Sequence, residues 1–263
     1  MPQINVNGTE LFVQIEGPEG APWLICSNSL GATRRTWAPQ MALLTKNHRV
    51  LRYDKRGHGE SAAPKAPYQL ADLVSDVIGL MDHHRIKQAD FLGLSLGGMT
   101  GLGLALDHPD RINRLICCDA RADAPPPFAK MWDDRIASVD AEGVASLWPG
   151  TLERWLTPAC QSRDIWTVEQ LRADFKQTSA EGYKGCAAAI RGLDYLRHLG
   201  KINVPVLYIV GDQDSGASPE TMRAMADATP GAKFQEILDA AHIANIDNAD
   251  AFNRAVANFL QPM

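Results

Sequence analysis

Ala89-Asp90-Phe91-Leu92-Gly93-Leu94-Ser95-Leu96-Gly97-Gly98 decides how the rest of the chain is read. The apolar run Ala89–Leu94 predicts a short buried strand, and the small-residue run Leu96–Leu106 predicts a helix. Between them lies Gly93-Leu94-Ser95-Leu96-Gly97, a G-x-S-x-G turn in a strand–turn–helix setting. Such a turn is too sharp for ordinary backbone. It strains the serine and needs glycines on either side, where the chain passes close to itself. Its effect is to lift the Ser95 hydroxyl clear of the sheet. The turn also puts the Leu96 N–H at a helix N-terminus, where free donors and the helix dipole favour a developing negative charge.

Outward from this turn the chain alternates strands and helices. Ile4–Asn7 and Leu11–Ile15 flank Asn7-Gly8, a hairpin signal. Trp23–Cys26, Arg49–Tyr53 and Arg114–Cys118 read as strands, and Thr36–Thr45 as a helix. Leu70, Leu73, Val74, Val77, Ile78 and Met81 repeat at helical spacing over 70–84. After Ala124-Pro125-Pro126-Pro127 the rhythm stops. No convincing strand occurs until about Gly192, and four tryptophans, Trp132, Trp148, Trp155 and Trp166, fall in this stretch. Strand signals resume at Val204–Val210 and Lys233–Leu238, and Ala249–Leu260 closes the chain as a helix. The expected architecture is α/β: the α/β-hydrolase fold, with a mostly parallel sheet, helices on both faces and a helical lid. Residues 1–123 and 193–263 form the core, and 124–192 the lid.

Composition excludes several classes. The 263 residues are 45% hydrophobic and 22% charged, with a net charge of −5. That is a globular balance with no basic tract for nucleic acid. The first residues do not form a signal peptide, and no apolar run is long enough to span a membrane. The five cysteines, Cys26, Cys117, Cys118, Cys160 and Cys186, are odd in number and lack metal spacing. They are read as reduced thiols of a cytoplasmic protein. No dinucleotide or phosphate-loop motif is present, so neither a cofactor nor a metal is expected. A homo-oligomer is left open.

Ser95 needs a base to become a nucleophile. The chain order of this fold is serine, acid, histidine. Of the seven histidines, His242 lies on a loop just after the last strand, at the sheet edge where ligands bind. His198 falls in a helical stretch, and the others read as surface or loop residues. For the acid, Asp214 follows the strand Val204–Val210. Asp119 is its rival, because it ends the strand Arg114–Cys118 at the same edge. The second oxyanion donor is expected from Ser27-Asn28-Ser29-Leu30-Gly31, with the Leu30 N–H beside that of Leu96. The side chains of Asn28 and Ser29 are candidate contacts.

These residues resemble the 3-oxoadipate enol-lactonase family. The resemblance is carried by the Ser27–Gly31 loop, by Asp54 with Arg56-Gly57-His58-Gly59, and by Gly93–Gly98. It continues in Arg154-Trp155-Leu156-Thr157, Thr178-Ser179-Ala180-Glu181-Gly182-Tyr183 and Ala240-Ala241-His242-Ile243-Ala244-Asn245. It implies hydrolysis of a carboxylate-bearing enol-lactone in aromatic catabolism, with Arg154 and Trp155 holding the carboxylate. One segment departs from the family. Where an Asn-Thr pair is expected after Cys118, this chain has Asp119-Ala120-Arg121, which makes Arg121 a second anion contact. A general carboxylesterase, its acyl pocket lined by the four lid tryptophans, is the competing reading. A non-catalytic binding protein on the same scaffold is a third.

Overall fold

The structure, a computed structural model, describes residues 3–261. Eight strands form one sheet in the order β1-β2-β4-β3-β5-β6-β7-β8. They are β1 (Gln3–Val6), β2 (Thr9–Glu16), β3 (Trp23–Ser27), β4 (Arg49–Tyr53), β5 (Ala89–Leu94), β6 (Ile112–Cys118), β7 (Val206–Gly211) and β8 (Lys233–Ile237). β1 and β2 are an antiparallel hairpin, and β2 pairs antiparallel with β4. Every later pair, from β3–β4 to β7–β8, is parallel. Every residue of β5 and of β7 is buried. A central parallel strand is covered on both faces, so its sequence runs apolar without alternation.

Five helices belong to the α/β alternation: α1 (Ala38–Leu44), α2 (Leu70–His83), α3 (Leu96–Asp107), α9 (Pro219–Ala228) and α11 (Ala249–Leu260). The short α10 (Ala244–Asp247) follows the last strand. α2 buries Leu70, Leu73, Val74, Val77 and Met81 as the periodicity predicts, with Ile78 half-buried. It also buries Asp76, a charge on an apolar face. Arg56 explains it, donating through Nε at 2.8 Å and Nη2 at 2.5 Å to the two Asp76 oxygens. A buried carboxylate stays ionised at acceptable cost when a forked guanidinium satisfies it.

Between β6 and β7 the chain forms α4 (Pro126–Glu142), α5 (Trp148–Trp155), α6 (Pro158–Arg163), α7 (Ile165–Lys176) and α8 (Ala180–Arg191). This helical segment has its own aromatic core. Trp155 meets Trp148 at 6.0 Å and Phe175 at 5.8 Å between ring centroids, both nearly edge-on. Phe175 continues the contact to Tyr183 at 6.0 Å. Edge-to-face pairs of this kind add about 1 kcal/mol each beyond burial. The segment docks on the core at Gly57, where the Ser179 N–H donates to the Gly57 carbonyl at 2.9 Å. A side chain at Gly57 would place its Cβ 2.1 Å from the Gly182 Cα, so only glycine allows this backbone contact. Among the described residues no helix is long and apolar enough to cross a membrane.

Candidate active site

Six parallel strands deliver their C-terminal ends to one edge, so the loops that follow them converge there. Ser95 sits at φ 54°, ψ −114°, a strained conformation for a residue with a side chain. The turn survives because nothing obstructs it. A Cβ on Gly93 would lie 2.2 Å from the Gly97 oxygen, and one on Gly97 would lie 2.0 Å from the Ser27 oxygen. The Ser95 N–H is tied to the Cys118 carbonyl at 2.7 Å, which fixes the turn against the neighbouring strand.

His242 Nε2 lies 2.9 Å from Ser95 Oγ, and its Nδ1 lies 2.8 Å from Asp214 Oδ2. All three residues are less than 8% exposed. The other Asp214 oxygen accepts the N–H groups of Gly216 at 2.7 Å and Ala217 at 3.1 Å. Burial works to raise the Asp214 pKa. The His242 charge and hydrogen bond, with the two N–H groups, outweigh it and hold the carboxyl below its usual range. An acid, an imidazole and a hydroxyl in this chain can pull the serine proton onto Nε2 as the oxygen attacks a carbonyl.

Asp119, the rival acid, also lies at the sheet edge, with φ at 47°. Its Oδ1 accepts the Gly211 N–H at 2.8 Å, and its Oδ2 is buried without a partner. Full burial and the nearby Asp214 charge push its pKa well above the carboxylate range. Asp119 therefore turns its carboxyl to the Gly211 N–H, whereas Asp214 is the acid that faces the imidazole. His198 lies apart, beside Asp107 and Asp194.

Neither the Leu30 nor the Leu96 N–H donates to another described residue. Both loops are held so that these donors stay put. The Gly31 N–H donates to His58 Nε2 at 2.9 Å, and the Lys55 ammonium donates to the Asn28 carbonyl. His58 is fully buried, and burial lowers its pKa to about 4, with the Lys55 charge adding to the effect. Burial brings Lys55 down to about 7. The sequence reading left His58 among the surface or loop histidines and passed over Lys55. Their partners are backbone atoms some 27 residues away, and local sequence holds no sign of them.

A cavity of about 270 Å³ opens over Ser95 and His242. Leu30, Ser29, Arg121 and Arg154 are on its wall, with Met99, Phe128, Met131 and Trp132 forming its apolar side. Arg121 is engaged, paired with Asp123 at 3.0 Å and lying over the Phe128 ring. The Arg154 guanidinium has no hydrogen bond or ion pair among the described residues. Burial and the nearby Arg135 charge lower its pKa to about 10, so it remains cationic at neutral pH. Its stem flanks the acid: a Cβ on Gly216 would lie 3.5 Å from Arg154 Cδ and 3.8 Å from His242 Nδ1.

Two expected substrate contacts are absent from this wall. Trp155 is 1% exposed and belongs to the aromatic core of the helical segment. The Asn28 side chain is fully buried and donates to the Ala32 carbonyl, closing its own loop. The acyl pocket of four tryptophans does not form either. Only Trp132 lines the cavity, whereas Trp148 is buried in the helical segment and Trp166 is 72% exposed on the outer surface.

This geometry agrees with comparison to known proteins. The alpha/beta hydrolase fold family matches residues 22–249. 3-Oxoadipate enol-lactonase 2 of Acinetobacter baylyi is 37% identical over 91% of this chain and 89% of its own. The chain belongs to the 3-oxoadipate enol-lactonase family of the α/β hydrolases. It is thus a hydrolase of esters or lactones. Among solved structures, the enol-lactonase from Burkholderia xenovorans LB400 superposes with a TM-score of 0.95 at 44% identity, covering 98% of this chain and 99% of that one. A carbamate hydrolase of the RutD type from Variovorax paradoxus, itself assigned only provisionally, is more distant, at 29% identity over 95% of this chain and 96% of its own.

Proposed function

We propose that this α/β hydrolase opens a carboxylate-bearing enol-lactone of the 3-oxoadipate type, with Ser95 as nucleophile, His242 as base and Asp214 as the orienting acid. One observation carries the reading: an unpaired guanidinium, Arg154, lines the same cavity as Ser95 and His242, which are hydrogen-bonded in series with Asp214 behind them. The relatives named enol-lactonases support the same substrate class.

The substrate carboxylate pairs with Arg154 and sets the lactone carbonyl over Ser95. Ser95 Oγ attacks the carbonyl carbon, and His242 Nε2 takes its proton. The resulting oxyanion is held by the Leu30 and Leu96 N–H groups. Collapse breaks the ring C–O bond, and His242 returns the proton to the departing enol oxygen. That leaving group stays tethered to the acyl-enzyme. His242 next takes a proton from water, which attacks the acyl carbon. Ser95 leaves reprotonated, and the freed enol becomes a ketone. Residues 124–192 act as a lid that keeps bulk water from the acyl-enzyme. Five free, buried thiols fit a reducing compartment, and we assign the enzyme to the cytoplasm.

The apolar wall of Met99, Phe128, Met131 and Trp132 supports a second reading, a carboxylesterase of neutral acyl groups. Steady-state hydrolysis separates the two. On the first reading, kcat/KM for 3-oxoadipate enol-lactone exceeds about 10⁴ M⁻¹s⁻¹ and is far above that for p-nitrophenyl acetate. A poor lactone rate with Ser95-dependent ester turnover assigns the protein to the second.

A further inference from the structure

The loop that carries His242 is held from an unexpected side. Up to Ala240 it is tied to the core: the Ala240 N–H donates to Asp212 Oδ1 at 3.0 Å, and the Gln213 N–H donates to the Ala240 carbonyl at 2.9 Å. Of the next three N–H groups, two turn to the helical segment and one to Asp247 of α10. His242 donates to the Arg154 carbonyl at 3.3 Å, and Ile243 to the Trp155 carbonyl at 2.9 Å. Ala241 donates to Asp247 Oδ2 at 2.7 Å. That same oxygen accepts the Thr157 N–H at 2.9 Å, while Asp247 Oδ1 accepts the Thr157 hydroxyl at 2.7 Å.

Asp247 is 2% exposed, and no cation pairs with its carboxylate among the described residues. Its two oxygens accept from neutral donors, and the Arg163 guanidinium reaches only the Asp247 backbone carbonyl, at 2.9 Å. Beside it, burial and the Asp247 charge push the Cys160 thiol up to about 11. Burying an unpaired carboxylate costs several kcal/mol in general. A carboxylate kept under that cost is doing something an apolar side chain could not. Here it receives donors from both sides of one seam: the residue before the base, and a residue three positions after Arg154.

We propose that Asp247 is a positioning residue that fastens the His242 loop to the Arg154–Thr157 stretch, so that one buried carboxylate aligns the catalytic base and registers it against the substrate anchor. The idea rests on the roles of His242 and Arg154 given above. Without the clamp, the Ala241 and Thr157 donors lose their shared acceptor, and the imidazole loses its fixed distance to Ser95. Misplacement of a catalytic group by about 1 Å costs on the order of 100-fold in rate.

The test is Asp247→Asn, assayed on p-nitrophenyl acetate, which has no carboxylate, and on the enol-lactone. The amide keeps the shape but offers one acceptor oxygen in place of two. With the circular-dichroism spectrum of the parent, the variant loses about 10- to 100-fold in kcat on both substrates, and its KM for the neutral ester stays within about 3-fold of the parent. A folded variant with parental kcat on the neutral ester overturns the proposal, whether its melting temperature falls or only its KM for the lactone rises. Should Asp247→Asn not fold, Thr157→Val removes one donor and leaves the charge. It is expected to lower kcat several-fold at unchanged KM, and parental kcat there overturns the proposal equally. The neutral-ester arm runs even if the parent leaves the lactone untouched, so failure of the substrate assignment and failure of the clamp are read separately.

Discussion

The two walls of the cavity are built on opposite principles. At the sheet edge, Ser95, His242 and Asp214 form a closed chain in which every acidic oxygen and both imidazole nitrogens are engaged. The helical segment instead presents Arg154, a guanidinium without a partner, and the Trp132 Nε1, which is buried without one. A paired group is oriented before substrate arrives, which suits a nucleophile and base needed for any ester. An unpaired cation in a largely buried wall is unsatisfied until an anion enters, which suits selection among esters. On the proposed function, the sheet edge carries the reaction and the helical segment carries the preference.

Variants at the sheet edge should abolish turnover of charged and neutral substrates alike. Ser95→Ala gives the largest effect, a loss of kcat of roughly 10⁵-fold or more on both the lactone and p-nitrophenyl acetate. Equal residual rates on the two would sharpen the comparison; a variant that keeps one of them would break it. Asp214→Asn follows, with a loss of about 10³- to 10⁴-fold, since an uncharged acid leaves the imidazole in the wrong tautomer. Asp119→Asn should cost less than about 10-fold, because the Asp119 carboxyl is bonded to the Gly211 N–H rather than to His242. Steady-state kinetics on the two variants checks the ranking, and the reverse order would move the acid to Asp119.

A smaller effect concerns the loop that carries the Leu30 donor. His58 has a folded pKa near 4, against about 6.5 when unfolded. A depressed histidine stabilises the fold above the unfolded value, and that contribution is lost as pH falls through the folded one. Melting temperature should therefore decline between pH 6.5 and about 4, and His58→Gln should flatten the decline. Thermal melts across this window would show it. An identical slope in the two proteins would mean that His58 does not carry the effect.

What could be read from the sequence followed from how local the signal is. Strand–turn–helix around Ser95 is written in the ten adjacent residues Ala89–Gly98, and the apolar strands β5 and β7 announce themselves by composition. His242 is recognisable because a loop after the last strand must reach the same edge. Asp214 and Asp119 could not be separated in the same way. They end neighbouring strands, and only the direction of each carboxyl, one toward Nδ1 and one toward the Gly211 N–H, tells them apart. The tryptophans mislead for a related reason. An aromatic residue in an amphipathic helix marks a buried face without saying whether substrate or protein covers it, and for Trp155 it is Trp148 and Phe175. Lys55, His58 and Asp247 bind backbone atoms far away in sequence or across a chain reversal, which no spacing rule reaches.

The division of labour between the walls stands or falls on Arg154. The decisive quantity is the ratio of kcat/KM for the enol-lactone to that for p-nitrophenyl acetate, measured in the parent and in Arg154→Met. The account predicts that the ratio falls by about 100-fold, a loss of roughly 2.7 kcal/mol of charge-assisted binding, while the neutral ester is turned over within about 3-fold of the parent rate. An unchanged ratio would contradict it, and would mean that Arg154 does not read the substrate's charge.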